Sequence, residues 1–343
     1  MANLNRIKLV LVEKNKTGKW LADELGKTPC TISKWCQNTI QPDLKTLNEI
    51  ADLLGVDVTE LIVSKNKKVE KKAVQYNLIN QDVFEGLKAL ESDSFDLCIV
   101  DPPYGASSKH NWNYDKKEKI AGFGGEWNLE NEAWDLLSQN DSFLNTFAWL
   151  KELKRIIKLE GSIWIHATYH NSGFVNVCCQ LLGLEIINEI AWYKRNSFPN
   201  LSGRRLTASH ETILWIHKGG EKKRKYFFNY ETSKAFYSSS DLLKEAGKQM
   251  RTVWDIPNNK SKEEMKFGSH PTQKPLKVSE RILALCGVEG GNLLVPFAGS
   301  GTEMIAGLNF GMNVTGFEIE KEYIDIAQKR LEDALQKKQY SLF

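Results

Sequence analysis

From Val74 onward, short apolar runs alternate with longer segments of helical periodicity. The runs are four to eight residues long and end at turns or polar residues, which is typical of buried strands. Such an alternation predicts an α/β fold, with a largely parallel sheet and helices on both faces. The predicted strands are residues 76–80, 97–100, 162–166, 186–193, 212–217, 292–295 and 313–317.

The chain before this alternation has no strand pattern. Up to residue 63, apolar positions recur at helical spacing between Gly and Pro residues, which predicts a run of short helices. Residues 64–72 then carry five lysines against one glutamate without apolar periodicity, as solvated linkers do. Because 343 residues exceed what one hydrophobic core usually organises, we predict several domains. These are a helical domain at 1–63, a lysine-rich linker at 64–74 and an α/β domain at 75–343.

Composition narrows the class of protein. With 41% hydrophobic residues, no apolar run long enough to cross a bilayer and no secretion signal, the chain is expected to be cytoplasmic. Its six cysteines form no Cys-x-x-Cys pair, so neither a metal site nor a disulfide framework is expected. A net charge of +3 is too small to indicate a nucleic-acid partner by itself. The evidence for function must therefore come from motifs.

The tetrapeptide Asp101-Pro102-Pro103-Tyr104 directly follows the strand at 97–100. Two prolines cannot continue a sheet, so the chain leaves the strand there with fixed φ angles. The Asp101 carboxylate and the Pro102 carbonyl can then accept the two hydrogens of an exocyclic amine and turn its lone pair toward an electrophile. Tyr104 offers a ring on which a flipped nucleobase can stack. By itself, so short a motif is also compatible with an ordinary turn.

A second loop follows the strand at 292–295. Residues 296–302 include Phe297, Gly299 and Gly301 before a helix, so the backbone can approach a ligand at the helix N-terminus. Glu318 ends the next strand seventeen positions after Gly301, near the spacing at which an acidic residue binds ribose hydroxyls. A glycine loop alone would equally suit a dinucleotide-dependent oxidoreductase.

The two loops together resemble those of the DNA amino-methyltransferases, and their order along the chain fits the permuted β class of that family. In this family Asp-Pro-Pro-Tyr accompanies methylation of adenine N6, and Ser-Pro-Pro-Tyr more often that of cytosine N4. The resemblance implies a Rossmann-like S-adenosyl-L-methionine-dependent methyltransferase fold and catalytic roles for Asp101, Pro102, Pro103 and Tyr104. It implies that the cofactor contacts are Asp82, Thr272, Lys274, Phe297, Gly299, Ser300, Gly301, Thr302 and Glu318.

The resemblance also implies individual roles for some of these contacts. Glu318 binds the ribose, and Asp82 binds the adenine moiety. Residues 270–276 resemble the segment that holds the methionine end of the cofactor, where Thr272 and Lys274 would contact the carboxylate. One position departs from the family, because Val295 stands where an acidic residue is usual. The loss of a polar contact near the methionine amino group predicts weaker cofactor binding.

The first domain shows its own motif. Residues 20–26 fit a helix closed by glycine, and Thr28 and Pro29 fit the start of a second helix whose Ile32 and Trp35 face inward. The pattern at 19–62 resembles the Cro/repressor type of helix-turn-helix, which implies DNA binding by the outward face of that second helix. A small helical module without DNA contacts is the alternative. The predicted base-reading residues are Thr28, Thr31, Lys34 and Gln37.

Target recognition is predicted in an insertion at 222–266. There Lys223 and Arg224 stand next to the aromatic residues 226–228, which suits phosphate contacts and base stacking. A solvated lysine run over a small hydrophobic cluster is the alternative. Lys194 and Arg195 match the family's stretch beside the DNA cleft loosely. Residues 109–127 are predicted to form a flap over the base.

Three functions are compatible with the sequence. The first is a site-specific N6-adenine methyltransferase of double-stranded DNA, from a restriction-modification system or a phage. The second is an N4-cytosine methyltransferase, because the two amines are similar, and the third is a repressor whose methyltransferase fold has decayed. Asp101 favours adenine, and the intact tetrapeptide argues against decay. A homodimer and a cognate restriction endonuclease are the further expected partners.

Overall fold

The computed structural model describes residues 4–14, 16–63, 74–104, 139–197, 204, 206–220, 225–235, 247–268 and 270–340. The chain divides into two compact units, Met1–Lys71 and Lys72–Phe343. Within the described ranges, no helix combines the length and the apolar character that a membrane span requires.

The smaller unit consists of short helices around one apolar core. The helix that follows the tight turn begins as predicted, with the Thr28 side chain accepting the N–H of Thr31 and Pro29 at its first position. Gly26 ends the preceding helix at φ +59°, a left-handed conformation that glycine adopts without strain. The helices are α1 (Ile7–Glu13), α2 (Gly18–Leu25), α3 (Pro29–Cys36) and α4 (Leu44–Leu54), followed by a 3₁₀ helix at Val58–Leu61.

The larger unit is built on an eight-stranded mixed sheet of order β1-β8-β7-β2-β3-β5-β4-β6. The five strands from β1 to β3 are parallel, whereas β5 runs antiparallel to both β3 and β4. The strands are β1 (Tyr76–Asn80), β2 (Phe95–Val100), β3 (Ile157–Ala167), β4 (Glu185–Tyr193), β5 (His210–His217), β6 (Val253–Asp255), β7 (Asn292–Val295) and β8 (Asn313–Glu318).

Helices pack on both faces of this sheet, as the alternation of patterns predicts. Along β2, Leu97 and Ile99 belong to one buried cluster, and Cys98 and Val100 belong to the other, because side chains alternate across a strand. The helices are α5 (Val83–Ala89), α6 (Gln139–Ile156), α7 (Ser172–Leu181), α8 (Tyr230–Ala235), α9 (Leu276–Cys286), α10 (Thr302–Phe310) and α11 (Lys321–Tyr340).

Part of the predicted insertion at 222–266 belongs to the main sheet. Its strand β6 joins the edge of the main sheet in parallel with β4, and Trp254 is buried against Trp164 with ring centroids 5.9 Å apart. Tyr226 and Phe228 pack on Trp215, each at 5.2 Å between ring centroids. These aromatic side chains cover apolar surface of the sheet, and hydrophobic burial accounts for their frequency there.

Candidate active site

The two loops singled out in the sequence meet at one edge of the sheet. Strands β2 and β7 are hydrogen-bonded parallel neighbours, so residues 101–104 and 296–302 leave from the same end. Between them lies a cavity with an empty volume of about 620 Å³, counted out to its open mouth. Its lining includes Asp101, Pro102, Pro103, His270, Thr272, Gln273, Lys274, Phe297, Ala298, Gly299, Ser300, Thr302, Glu303, Glu318, Ile319 and Tyr323.

The catalytic carboxylate proposed from the sequence belongs to a buried cluster of four side chains, which we call the Asp101 cluster: Asp101, Tyr104, Glu211 and Lys274. Lys274 Nζ lies 3.0 Å from Asp101 Oδ1, 2.8 Å from Oδ2 and 2.7 Å from the Tyr104 hydroxyl. Tyr104 donates its hydroxyl hydrogen to Asp101 Oδ1, and Glu211 Oε2 lies 3.8 Å from Lys274 Nζ. One ammonium group therefore serves two carboxylates.

The Asp101 cluster keeps its charges at neutral pH. Burial opposes ionisation of Asp101, but the Lys274 ammonium outweighs it and lowers the carboxyl's pKa. The pKa of Glu211 is lowered in the same way against its burial, by Lys274 and Lys194. The pKa of Lys274 is raised, since its carboxylate partners outweigh its burial. Burial and the Asp101 carboxylate raise the pKa of Tyr104, so its phenol stays a hydrogen-bond donor.

Two histidines, the buried His166 and the half-buried His270, adjoin this site in a neutral form. Burial lowers the pKa of His166 to about 4, and also that of His270 to about 4. Neither ring nitrogen of His166 has a hydrogen-bond partner among the described residues. His270 packs edge-on against Tyr323 at 4.2 Å between ring centroids and accepts the backbone N–H of Thr272. The cavity wall near the Asp101 cluster is therefore polar without adding charge.

The glycines at 296–302 have the backbone freedom that a close approach to a ligand requires. Gly299 has φ +49° and Gly301 has φ +81°, so a side chain at either position would be strained. The Gly299 N–H donates to Glu318 Oε2 at 2.7 Å, which fixes the end of β8 against the loop. Burial raises the pKa of Glu318 despite backbone hydrogen bonds from Glu320 and Gly299.

The hydroxyl groups of this loop stabilise its conformation. The buried guanidinium of Arg330 donates to the Ser300 carbonyl at 2.6 Å, to the Ser300 hydroxyl at 2.8 Å and to the Thr302 hydroxyl at 3.2 Å. The Ser300 hydroxyl in turn donates to Gln273 at 2.9 Å. Both hydroxyl groups were predicted cofactor contacts, and in the structure they hold the loop to α11 and to the segment before α9.

Glu303 lies in the first turn of α10 and is a functional candidate that the motifs did not indicate. Its side chain lines the cavity, the residue is 4% exposed, and Oε1 has no hydrogen-bond partner among the described residues. Burial and the Asp101 carboxylate raise its pKa to about 7. Arg330 and His166 were missed as well, because they belong to no short motif. Gln273 and Glu211 lie in stretches that resemble the family, but no role was predicted for them.

Lys274 and Asp82 occupy positions that their predicted roles did not anticipate. Lys274, expected at the cofactor carboxylate, lines the cavity but points its ammonium at Asp101. Asp82 caps α5, where Oδ1 accepts the N–H of Phe84 at 2.9 Å, and it is not among the residues that line the cavity. The Thr272 hydroxyl lies 3.1 Å from His270 Nδ1, and Phe297 meets Trp149 edge-on.

The predicted DNA contacts are placed unevenly. Lys194 is mostly buried and pairs with Glu211 at 2.7 Å, whereas Arg195 is half exposed and binds Asp255 through two hydrogen bonds. Lys223 and Arg224 lie outside the described residues, as does the predicted flap at 109–127. On α3, Lys34 and Gln37 are exposed, Thr31 is half-buried, and Thr28 is exposed while it caps the helix.

Comparison with known proteins identifies the family. The family described as DNA methylase matches residues 95–329, and the helix-turn-helix family matches residues 7–61. The Type II methyltransferase M2.DpnII of Streptococcus pneumoniae is 35% identical over 282 residues, which are 81% of this chain and 94% of that relative.

Two solved structures share the fold. The complex of M1.HpyAVI with SAM has a TM-score of 0.51 at 24% identity and covers 75% of this chain and 99% of its own. The cytosine-N4-specific PvuII DNA methyltransferase has a TM-score of 0.57 at 15% identity and covers 77% of this chain and 93% of its own. The expected α/β methyltransferase fold is thereby confirmed. Since the family match spans more than half of the sequence, the chain belongs to the DNA methylase family and carries an N-terminal helix-turn-helix domain.

Proposed function

We propose that this protein transfers a methyl group from S-adenosyl-L-methionine to N6 of an adenine flipped out of double-stranded DNA. One observation carries the proposal: Asp101, Pro102 and Pro103 line the same cavity as most of the glycine loop at 296–302. The Type II methyltransferase names of its relatives support a site-specific enzyme of restriction-modification type. Asp101, where N4-cytosine enzymes of this family more often carry serine, supports adenine as the target.

The residues of the cavity fit S-adenosyl-L-methionine. Glu318 offers carboxylate oxygens for ribose hydroxyls, the loop glycines admit a close backbone approach, and the Phe297 ring adds apolar contact. Thr272 is the candidate for the cofactor's carboxylate, because the Lys274 ammonium is bound to Asp101. When bound, the cofactor supplies an electrophilic methyl group on a sulfonium.

The role of Asp101 is to orient the target amine. Its Oδ1 accepts hydrogen bonds from Tyr104 and Lys274, whereas Oδ2 accepts one from Lys274, and a carboxylate oxygen can accept two. Oδ2 therefore has capacity for an amine hydrogen, and the Pro102 carbonyl is the candidate for the other. The lowered pKa keeps Asp101 ionised, so it stabilises the positive charge that develops on the nitrogen.

Lys274, Tyr104 and Glu211 hold that carboxylate in place. A side chain bound to a buried ammonium and a phenol loses little freedom when the base arrives, because its orientation is already set. The Tyr104 ring is 7% exposed, and Lys274 Nζ lies 5.0 Å from its centroid. A flipped base can therefore stack only on the small part of the Tyr104 ring that stays exposed, and the Tyr104 hydroxyl is bound to Asp101.

Product analysis tests this function. Unmethylated DNA is incubated with the full-length protein and S-adenosyl-L-methionine, digested to nucleosides and separated by mass. N6-methyladenine is the expected product, N4-methylcytosine alone would support the cytosine alternative, and no methylated base would support the repressor alternative. Recognition by α3 of a second DNA site, a homodimer, a cognate endonuclease and a cytoplasmic location stay predictions of the same proposal.

A further inference from the structure

Glu303 presents an unused acceptor to the cavity. Its residue is 4% exposed, and its Oε1 has no hydrogen-bond partner among the described residues. Leaving a buried carboxylate oxygen without a donor costs free energy, so native proteins rarely do it outside functional sites. The position beside a ligand cavity suggests that the donor belongs to a ligand.

The other acidic side chains of the cavity lining already have donors. Asp101 accepts from Lys274 and Tyr104, and Glu318 accepts the N–H groups of Gly299 and Glu320. Two cations lie close enough for their charges to act on Glu303, and both bind other groups. Lys274 binds Asp101, and Arg330 binds Ser300 and Thr302. Among the described acidic residues that line the cavity, Glu303 is thus the one with a buried carboxylate oxygen that lacks a hydrogen-bond donor.

The location of Glu303 selects the part of the ligand that it meets. The charges that act on it include Asp101 and Lys274, which places it at the Asp101 end of the cavity, while Glu318 lies at the end of β8. With the ribose at Glu318, the amino-acid end of the cofactor extends toward Glu303. Of the two cationic groups there, the sulfonium has no N–H, whereas the α-ammonium is a hydrogen-bond donor.

We propose that Glu303 binds the α-ammonium group of S-adenosyl-L-methionine, an inference that rests on the proposed function. It supplies, from the first turn of α10, the polar contact that the sequence leaves missing at Val295. Val295 itself is fully buried among apolar side chains of the core, so it cannot supply that contact.

Binding of an ammonium group by Glu303 should depend on pH. The charged groups that face Glu303 are Asp101, Lys274 and Arg330, and its pKa of about 7 means that about half of it is protonated at neutral pH. An ammonium ligand favours the carboxylate, so binding releases a proton, and affinity rises by about tenfold in total from pH 6 to pH 8. His166 and His270, with pKa values of about 4, stay neutral throughout that window.

The experiment compares two ligands by calorimetry with the full-length protein. The probes are S-adenosyl-L-homocysteine and its deamino analogue, in which hydrogen replaces the α-ammonium group. The wild type should bind the first about ten- to a hundredfold more tightly, the usual value of a hydrogen bond to a charged group. Glu303→Gln should discriminate little between them and lose the rise with pH. Glu280→Gln, on α9 outside the cavity lining, is the matched control and should behave as the wild type.

The outcomes separate this inference from the proposed function. No binding of S-adenosyl-L-homocysteine by the wild type would overturn both. Binding with equal discrimination in the wild type and Glu303→Gln would overturn the role of Glu303 and leave the methyltransferase assignment standing. If Glu303→Gln does not fold, the affinities of the wild type for the two ligands still test the inference. Equal affinity for the two ligands, or a preference that does not change from pH 6 to 8, overturns it.

Discussion

Two acidic side chains that line the candidate active-site cavity, Asp101 and Glu303, lie in opposite environments. Asp101 has an ammonium within 3.0 Å of both oxygens and a phenol donor, and its pKa is lowered. Glu303, on the first turn of α10, is buried but lacks such a cation, and its pKa is raised to about 7. Burial opposes ionisation in both cases, so Lys274 makes the difference.

This contrast assigns different roles to similar groups. A carboxylate that is ionised and fully positioned before the substrate arrives suits charge stabilisation in a transition state. A carboxylate that becomes ionised only when a cation arrives suits ligand recognition, because it gains a partner at that moment. Lys274, which the family resemblance places at the cofactor, points its ammonium at Asp101, and we expect it to position that carboxylate.

Removal of the catalytic carboxylate should have the largest effect. Asp101→Ala is expected to lower the rate of methyl transfer by at least about a thousandfold, because the amine loses its acceptor. Affinity for S-adenosyl-L-homocysteine should be retained, as measured by calorimetry. Asp96→Asn, on the same strand and paired with Lys158, is the control whose turnover should persist. A collapse of cofactor affinity in Asp101→Ala would show that Asp101 also takes part in cofactor binding.

Removal of Lys274, the cation shared by Asp101 and Glu211, should make the environment of Asp101 similar to that of Glu303. Lys274→Met leaves Asp101 and Glu211 buried without their ammonium, which should lower the free energy of unfolding at pH 7.5 by about 3–5 kcal/mol. In the wild type, both carboxyls have lowered pKa values. Their contribution to stability is complete above their ordinary values of 3.8 and 4.5, and it is lost as pH falls through the lowered ones.

In Lys274→Met the same carboxyls should have raised pKa values, so stability should increase as the pH is lowered from 7.5 to 4.5. Urea unfolding at both pH values measures this reversal. Lys158→Met, which breaks the more exposed pair with Asp96, is the control and should cost less than about 1 kcal/mol. An unchanged pH slope in Lys274→Met would show that Lys274 does not set the charge of the Asp101 cluster.

Neutralisation of the other carboxylate should stabilise the unliganded protein. The folded pKa of Glu303 is raised from 4.5 to about 7, so its cost to stability begins as pH rises above 4.5 and is complete above 7. Glu303→Gln should therefore gain roughly 2–3 kcal/mol more at pH 8 than at pH 5. Urea unfolding measures the difference, with the surface variant Glu85→Gln as control. A pH-independent effect would contradict the raised pKa of Glu303, and with it the contrast to Asp101.

The smallest effect is expected from removal of the N-terminal unit. A chain that begins at Lys72 retains all the residues that line the cavity, so it should bind cofactor and methylate the same sequence as the full-length protein. It should lose only the binding of a second, roughly palindromic DNA site by α3, which footprinting measures. Methylation of a different or relaxed sequence would show that the N-terminal unit takes part in target recognition.

Local patterns in the sequence determined the main elements of this protein. The sequence predicted the helix-turn-helix caps, every described strand except β6, and the two loops at 101–104 and 296–302. It could do so because periodicity and turn chemistry depend on residues that are near neighbours in the chain. The parallel neighbourhood of β2 and β7 followed from the fold class, and with it the convergence of both loops on one cavity.

Only the tertiary structure decided how the charges of the site are partnered. Lys274 and Asp101 are separated by 173 positions, and Arg330 and Ser300 by 30, so no local spacing reports their contacts. The same holds for β6 and Trp254, which lie in the segment 222–266. The composition of that segment suggested an insertion that contacts DNA, whereas in the structure β6 extends the sheet and Trp254 is part of the core. Burial and charge depend on which distant residues meet. For that reason the ionisation of Asp101 and the unpartnered state of Glu303 are properties of the fold and not of the motif.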